Sequence, residues 1–264
     1  MARAEDLERI ETALANAGVA LQAFTPGEIA HRIKDRGDPV TEADHAVNDV
    51  LLEVLPRDGE GWLSEETADD AGRLDCRRVW VVDPVDGTRE FVDGIPEWCV
   101  SVALVEDGAA VAGGILVPSR GLTVVGALET GVRVNGESAA VRPLQRLDGV
   151  RVLASRSEVR RGEWNRFEAA PFDVEPMGSV ALKLALVAAG LADATWTLVP
   201  KHEWDVAGGT ALVLAAGGEV RTLQGARPRF NLPRPKLSGL VAAPARLMAP
   251  IWAQLGDAVE SLRH

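Results

Sequence analysis

The chain has 264 residues, 47% hydrophobic and 25% charged, long enough for one large domain or two packed lobes around a sizeable core. With 39 acidic against 28 basic residues the net charge is −11, which argues against a nucleic-acid polymer as partner, because such binding needs a basic face. No apolar run reaches membrane-spanning length, the charged opening Met1–Asp6 lacks the apolar core of a signal peptide, and Cys76 and Cys99 are too few for a disulfide framework, so a cytoplasmic protein with no membrane partner is expected.

In chain order, Leu7, Ile10, Leu14, Ala17 and Leu21 fall at helical spacing and predict an amphipathic helix over 5–24. A second helix is predicted over 40–55, with Thr41 as cap, Asp44 behind it, an apolar stripe of Val47, Val50, Leu51 and Val54, and Pro56 at its close. Strands follow at 78–83, 98–106, 109–118 and 121–128, with Asp107-Gly108 as a hairpin turn. The composition shifts near 143–150. Beyond it the pattern predicts a strand at 150–154, helices at 179–191 and 205–216, and a strand at 219–223. Gly113-Gly114 and Gly217-Gly218 read as turns, and the Pro/Arg-rich stretch 226–236 reads as a surface loop. The chain therefore divides into 1–145, helices plus an antiparallel sheet carrying most of the candidate acids, and 146–264, an α/β lobe.

The stretch from Trp80 to Thr88 carries the most chemistry. An apolar run ends in Asp83-Pro84-Val85-Asp86-Gly87-Thr88. Two acids then stand at the rim of a buried strand, where an ionised carboxylate needs a compensating charge. A divalent cation supplies that charge through oxygen ligands, and a structural cap or turn is the competing reading. The Gly-led turn offers backbone N–H groups to a phosphate oxygen. Metal beside phosphate points to metal-assisted phosphoryl chemistry. Ser64-Glu65-Glu66, Asp205 and Asp44 are the other candidate acids; the first two also read as ordinary helix-end residues. The four histidines are scattered without paired spacing, and neither a Gly-x-Ser-x-Gly elbow nor a Walker lysine loop is present.

Taken together these segments resemble a known family. Asp83–Thr88 resembles the signature of the inositol monophosphatase family of magnesium-dependent, lithium-sensitive phosphatases, and Trp204–Gly209 resembles its second signature. Ser64-Glu65-Glu66 matches a third segment, and the three occur in family order across roughly residues 5–245. Within the family, Lys34–Asp44, Gly87–Phe91 and Val152–Ser157 look like the 3′(2′),5′-bisphosphate nucleotidase branch. Inositol-specific members carry a Glu seven residues before the last metal Asp, and this chain has Leu198 there.

The resemblance implies an α+β fold, a layered α-β-α-β-α sandwich, and a homodimer. It implies two or three Mg²⁺ ions. Glu65, Asp83 and the Val85 carbonyl would hold one ion, and Asp83, Asp86 and Asp205 a second, with Asp83 bridging ions roughly 4 Å apart. Thr88, Asp44 and Glu65 would be catalytic, with Thr88 and Asp44 orienting and deprotonating a water. Gly87 and Thr88 would hold the phosphate. Gly178, Ser179, Arg156 and Lys183 would face the leaving group, surface charge being the competing reading for the two cations. The implied reaction is removal of the 3′-phosphate of adenosine 3′,5′-bisphosphate. The alternatives are an inositol-1-monophosphatase, a broad sugar-phosphate phosphatase, or a non-catalytic metal- or phosphate-binding member.

Overall fold

A computed structural model of the chain describes residues 2–33 and 39–256. Lys34–Asp38, part of the nucleotidase-like stretch, lie outside the described residues. The chain opens with α1 (Ala2–Leu21), the short pair β1 (His31–Ile33) and β2 (Pro39–Thr41), and α2 (Glu42–Val54). Then come β3 (Gly61–Ser64), β4 (Arg78–Asp86), α3 (Thr88–Val92), β5 (Cys99–Glu106), β6 (Ala109–Val117), β7 (Leu122–Ala127), β8 (Gly131–Val134) and β9 (Glu137–Ala139). These strands form a seven-stranded sheet in sequence order, antiparallel except for β3 beside β4. The second half runs β10 (Val150–Ser155), α4 (Arg156–Arg160), β11 (Phe172–Met177), α5 (Val180–Ala188), β12 (Ala194–Thr197), β13 (Lys201–His202), α6 (Glu203–Ala215), β14 (Gly218–Thr222), β15 (Lys236–Leu237), β16 (Leu240–Pro244) and α7 (Met248–Leu255). Its five-stranded sheet has the order β11-β10-β12-β16-β14.

Side-chain alternation along β4 explains the layering. Trp80 and Val82 point into a core shared with α1 and α2, through Ile10, Leu14, Val47 and Leu51. Val79 and Val81 point the other way, into a core with Leu184, Val187, Val206 and Leu212 of α5 and α6. That second core continues into Leu153, Val220, Leu240 and Ala242 of the smaller sheet. The smaller sheet's outer face packs Val152, Val241 and Ala243 against Trp164, Phe167 and Ile251. The result is five layers, α-β-α-β-α. Because both faces of the large sheet are covered, β4 and β5 are apolar almost throughout instead of alternating with polar residues. The helix α5 is buried along its whole length for the same reason.

Two local expectations are corrected. Gly113 and Gly114 do not make a turn; they lie within β6. A Cβ on Gly113 would stand 2.6 Å from the Gly208 carbonyl oxygen of α6, and one on Gly114 would stand 2.3 Å from Ile10 Cγ2 of α1. Helices thus press the strand from both sides where only glycine fits. The stretch 226–236 is also not a plain surface loop, since it buries Phe230 and binds the start of α6 through Asn231 and Leu232.

Candidate active site

Sheet irregularity builds the centre of the site. Asp83 pairs with Ser101 and Asp86 with Cys99, so three steps along β4 answer two along β5. The extra residue is a β-bulge. In an unbroken strand residues three apart face opposite sides; the bulge turns both carboxylates toward one side. Pro84, with no N–H to give to a ladder, falls inside it. Asp205 arrives from the first turn of α6, where its Oδ2 accepts the His202 N–H at 2.9 Å and closes a capping box. Oxygens of Asp83, Asp86 and Asp205 then lie within 4.8 Å of one another.

Each of these carboxylates is anchored at one oxygen. Asp83 Oδ1 accepts the Val85 N–H at 3.1 Å, and Asp86 Oδ2 accepts the Ser179 hydroxyl and the Ala181 N–H, both at 2.6 Å. Glu65 follows the same logic of register. Ser64, the last residue of β3, stands opposite Val82, and an acid follows each of them, Glu65 in the bend after β3 and Asp83 on β4. Burial, and then repulsion from Glu65, Asp86, Asp205 and Asp44, holds the Asp83 carboxyl well above the ordinary carboxylate range. Asp205 is pushed up to about 8 by burial and by Asp86, against the pull of Lys201. A cluster in which burial and acidic neighbours raise Asp83 and Asp205 fits a hard divalent cation: an all-oxygen donor set with a charge deficit to fill.

Beside this cluster stands a second pair. The Thr88 hydroxyl lies 3.1 Å from Asp44 Oδ1 and 2.9 Å from the Val85 carbonyl oxygen. Asp44 is buried at the third position of α2, and its Oδ2 accepts the Thr41 N–H at 2.8 Å and the Thr41 hydroxyl at 2.6 Å. The capping box of α2 therefore aims the second oxygen at Thr88. Gly87, between Asp86 and Thr88, has φ of 99°, and a Cβ there would meet the Glu97 carbonyl oxygen at 2.8 Å. Glycine is required on both counts.

The leaving-group candidates are arranged differently from one another. Ser179 has φ of 50°, caps α5 through the Leu182 N–H at 3.0 Å and holds Asp86, so this turn belongs to the acidic cluster. Gly178 donates its N–H to Glu97 Oε2 at 2.6 Å and lies under the Glu90 side chain. Lys183 is buried, with its ammonium donating to the carbonyls of Met177, Gly178 and Ser179 at 3.2, 3.3 and 2.8 Å; burial lowers its pKa to about 8. Arg156 is paired with Glu97, with its side chain 40% exposed. Leu198, half-buried, packs on the outer core and offers no hydrogen-bonding group. Sequence reasoning passed over Glu97, which sits singly in a loop where no spacing marks it, and read Glu90 only as part of the nucleotidase-like stretch Gly87–Phe91.

The sequence profile of the inositol monophosphatase family matches residues 4–260. The inositol-1-monophosphatase of Mesorhizobium japonicum is 33% identical over 208 residues, 75% of this chain and 77% of that protein. The 3′-phosphoadenosine 5′-phosphate phosphatase of Mycobacterium bovis is 30% identical over 228 residues, 81% of each chain. The structure of the inositol monophosphatase from Anabaena (Nostoc) sp. PCC 7120 superposes with a TM-score of 0.81 at 25% identity, covering 97% of each chain.

Proposed function

Because the chain belongs to the inositol monophosphatase family, and is thereby a phosphatase, we propose that it is a Mg²⁺-dependent hydrolase of 3′(2′),5′-bisphosphate nucleotides that removes the 3′-phosphate of adenosine 3′,5′-bisphosphate. The observation that carries the phosphoryl chemistry is the convergence of Asp83, Asp86 and Asp205 within 4.8 Å, next to Thr88 and Asp44. Asp83, Asp86 and Asp205, with Glu65 and the Val85 carbonyl, are the groups that would hold the ions. Bound there, divalent cations supply a lowered pKa for the attacking water and charge stabilisation for the departing oxygen.

The chain's own residues do the rest. The Thr88 hydroxyl passes its proton toward Asp44 and so accepts one from a water on its other side. The N–H groups of Gly87 and Thr88 bind phosphate oxygens at the start of α3. Ser179 and the Ala181 N–H fix Asp86, and Lys183 fixes the turn that carries Ser179. Arg156, exposed in part and sharing Glu97 with the Gly178 N–H, is the group that would meet a second phosphate of the leaving group.

Support for the nucleotidase reading comes from Leu198, an apolar residue where a sugar-hydroxyl partner is needed for inositol, and from the Mycobacterium bovis relative. The Mesorhizobium japonicum relative favours a second reading, hydrolysis of inositol 1-phosphate. Steady-state kcat/KM on adenosine 3′,5′-bisphosphate and on inositol 1-phosphate separates them. A preference for inositol 1-phosphate overturns the nucleotidase assignment and leaves the phosphatase chemistry intact. A cytoplasmic homodimer completes the proposal, checked by sedimentation and by cell fractionation.

A further inference from the structure

The acids of the site come from separate segments, and Glu65 lies in a bend after β3 whose flanking hydroxyls, Ser64 and Thr67, donate to Asn48 of α2 at 2.7 and 3.3 Å. A polar chain, buried at Arg73 and at Glu203, runs from the turn that follows that bend to the start of α6. Arg73, in the short helical turn Ala71–Asp75, donates Nε and Nη2 to Asp69 at 2.6 and 2.9 Å. The same guanidinium donates to Asn231 Oδ1 at 2.6 Å and to the Leu232 carbonyl at 3.0 Å. Asn231 returns its Nδ2 to the Arg73 carbonyl at 3.0 Å. From the opposite side, Glu203 accepts the N–H groups of Asn231 and Leu232 at 2.7 and 2.9 Å. One dipeptide is thus gripped by a buried guanidinium and a buried carboxyl group that lie in different parts of the chain. Burying a guanidinium and a carboxyl group is costly even when both are hydrogen-bonded, which makes a role beyond stability the one to test. Asn231 has φ of 58°, a conformation Asn and Gly tolerate.

The two ends of the chain name that role. Asp69 is four residues from Glu65, and Glu203 is two residues from Asp205. We propose that Arg73, Asn231 and Glu203 are positioning residues that tie the Glu65 bend to the start of α6 and so set the spacing of Glu65 from Asp205 for divalent cations. This rests on the metal-site reading above. Carboxylates that coordinate an ion must be held within a fraction of an ångström, and groups outside the coordination sphere do that work.

The test uses the full chain stripped with EDTA and titrated with Mn²⁺, with free Mn²⁺ read by electron paramagnetic resonance. Asn231→Gly keeps the backbone conformation and deletes only the side-chain links to Arg73; it weakens Mn²⁺ binding about tenfold. Glu203→Gln weakens it in the same direction. Asn231→Asp keeps the acceptor for Arg73 but loses the donor to the Arg73 carbonyl, and binds Mn²⁺ more tightly than Asn231→Gly and less tightly than wild type. Ile251→Ala, in the outer core away from the acids, lowers the melting temperature and leaves Mn²⁺ affinity unchanged. Wild-type affinity in both Asn231→Gly and Glu203→Gln overturns the tie, and so does an equal loss in Ile251→Ala. A wild-type chain that binds no Mn²⁺ overturns the metal-site reading itself, and the tie with it.

Discussion

The Thr88 hydroxyl has two acceptors within reach, Asp44 Oδ1 at 3.1 Å and the Val85 carbonyl at 2.9 Å, and one proton to give. Asp44 meanwhile spends its other oxygen on Thr41. One carboxylate therefore serves both a helix cap and the proposed proton path. Thr88→Ala is expected to lower kcat by about 10²-fold or more while KM changes little, because a positioned proton acceptor acts in the transition state. Asp44→Ala is expected to lose a similar factor in kcat and in addition about 1 kcal/mol of stability from the lost cap. The double variant should be little slower than the worse single one, as for residues acting as a unit. Single-variant losses that multiply in the double would show that the two act separately.

Four acids press on Asp83, so the cluster is a strained element when no cation balances it. Asp83→Asn replaces a carboxyl whose ionisation the cluster opposes with a side chain that is always neutral, and keeps an acceptor for the Val85 N–H. In EDTA this variant is expected to melt above wild type. Addition of Mg²⁺ is expected to raise the melting temperature of wild type and not that of Asp83→Asn, since ligand binding to the native state stabilises it by mass action. Turnover should fall to near background. Calorimetry with and without Mg²⁺ checks all three points, and a lower melting temperature for the variant in EDTA would show that Asp83 is held by favourable contacts instead.

Gly87 links the acidic bulge to Thr88 with φ of 99° and the Glu97 carbonyl oxygen 2.8 Å from any Cβ. Gly87→Ala meets both a disfavoured backbone conformation and a clash with main chain, which cannot swing away as a flexible side chain would. A cost of about 1–3 kcal/mol is expected. A drop in kcat/KM should come with it, since relief of the clash displaces the N–H groups proposed to bind phosphate. Chemical denaturation and steady-state kinetics on one preparation measure both.

Much of this was legible in the sequence where local chemistry decides. Thr41 and Asp44 announce the cap of α2, and Asp107-Gly108 announces the β5–β6 turn. The bulge at Asp83–Asp86 was not, because Pro-Val between two acids reads equally well as a turn beyond the strand; pairing with Ser101 and Cys99 decides it. Gly113-Gly114 looked like a turn because a Gly pair usually is one, and the helices pressing on β6 come from residues about a hundred positions away on either side. Arg73, Asn231 and Glu203 are each a single polar residue with no periodic company, and only the folded chain brings them together.

Lys183 separates a positioning role from a substrate contact. Its ammonium is committed to three carbonyls of the turn that presents Ser179 to Asp86. Lys183→Met leaves those carbonyls without their donor. A loss of about 1–3 kcal/mol of stability is expected, as for a buried polar group left unpaired. In kinetics, kcat should fall through Asp86, with no selective rise in KM for adenosine 3′,5′-bisphosphate. A change in KM alone, with stability intact, would assign Lys183 to the substrate.

Toward the start of β4, Glu60 gives the fold a pH dependence of its own. Its carboxylate accepts Arg78 Nε at 2.9 Å, Trp80 Nε1 at 2.8 Å and the Arg9 guanidinium, which also lies over the Trp80 ring. Burial raises its pKa, but the hydrogen bonds from Arg9, Trp80 and Arg78 outweigh that and bring it to about 2, from an ordinary 4.5. A carboxylate with a depressed native pKa stabilises the fold fully above the unfolded value and loses that contribution as pH falls through the native one. The window is therefore about pH 4.5 down to about 2, where the unfolded chain takes up a proton before the native chain does. Glu60→Gln cannot ionise, so its stability should fall less steeply across that window, by up to one proton's worth of slope, while lying below wild type at neutral pH. Urea denaturation at several pH values from 5 to 2.5 measures the slope in both proteins. Parallel curves would mean that the Arg9 and Arg78 contacts contribute no more in the native state than in the unfolded one.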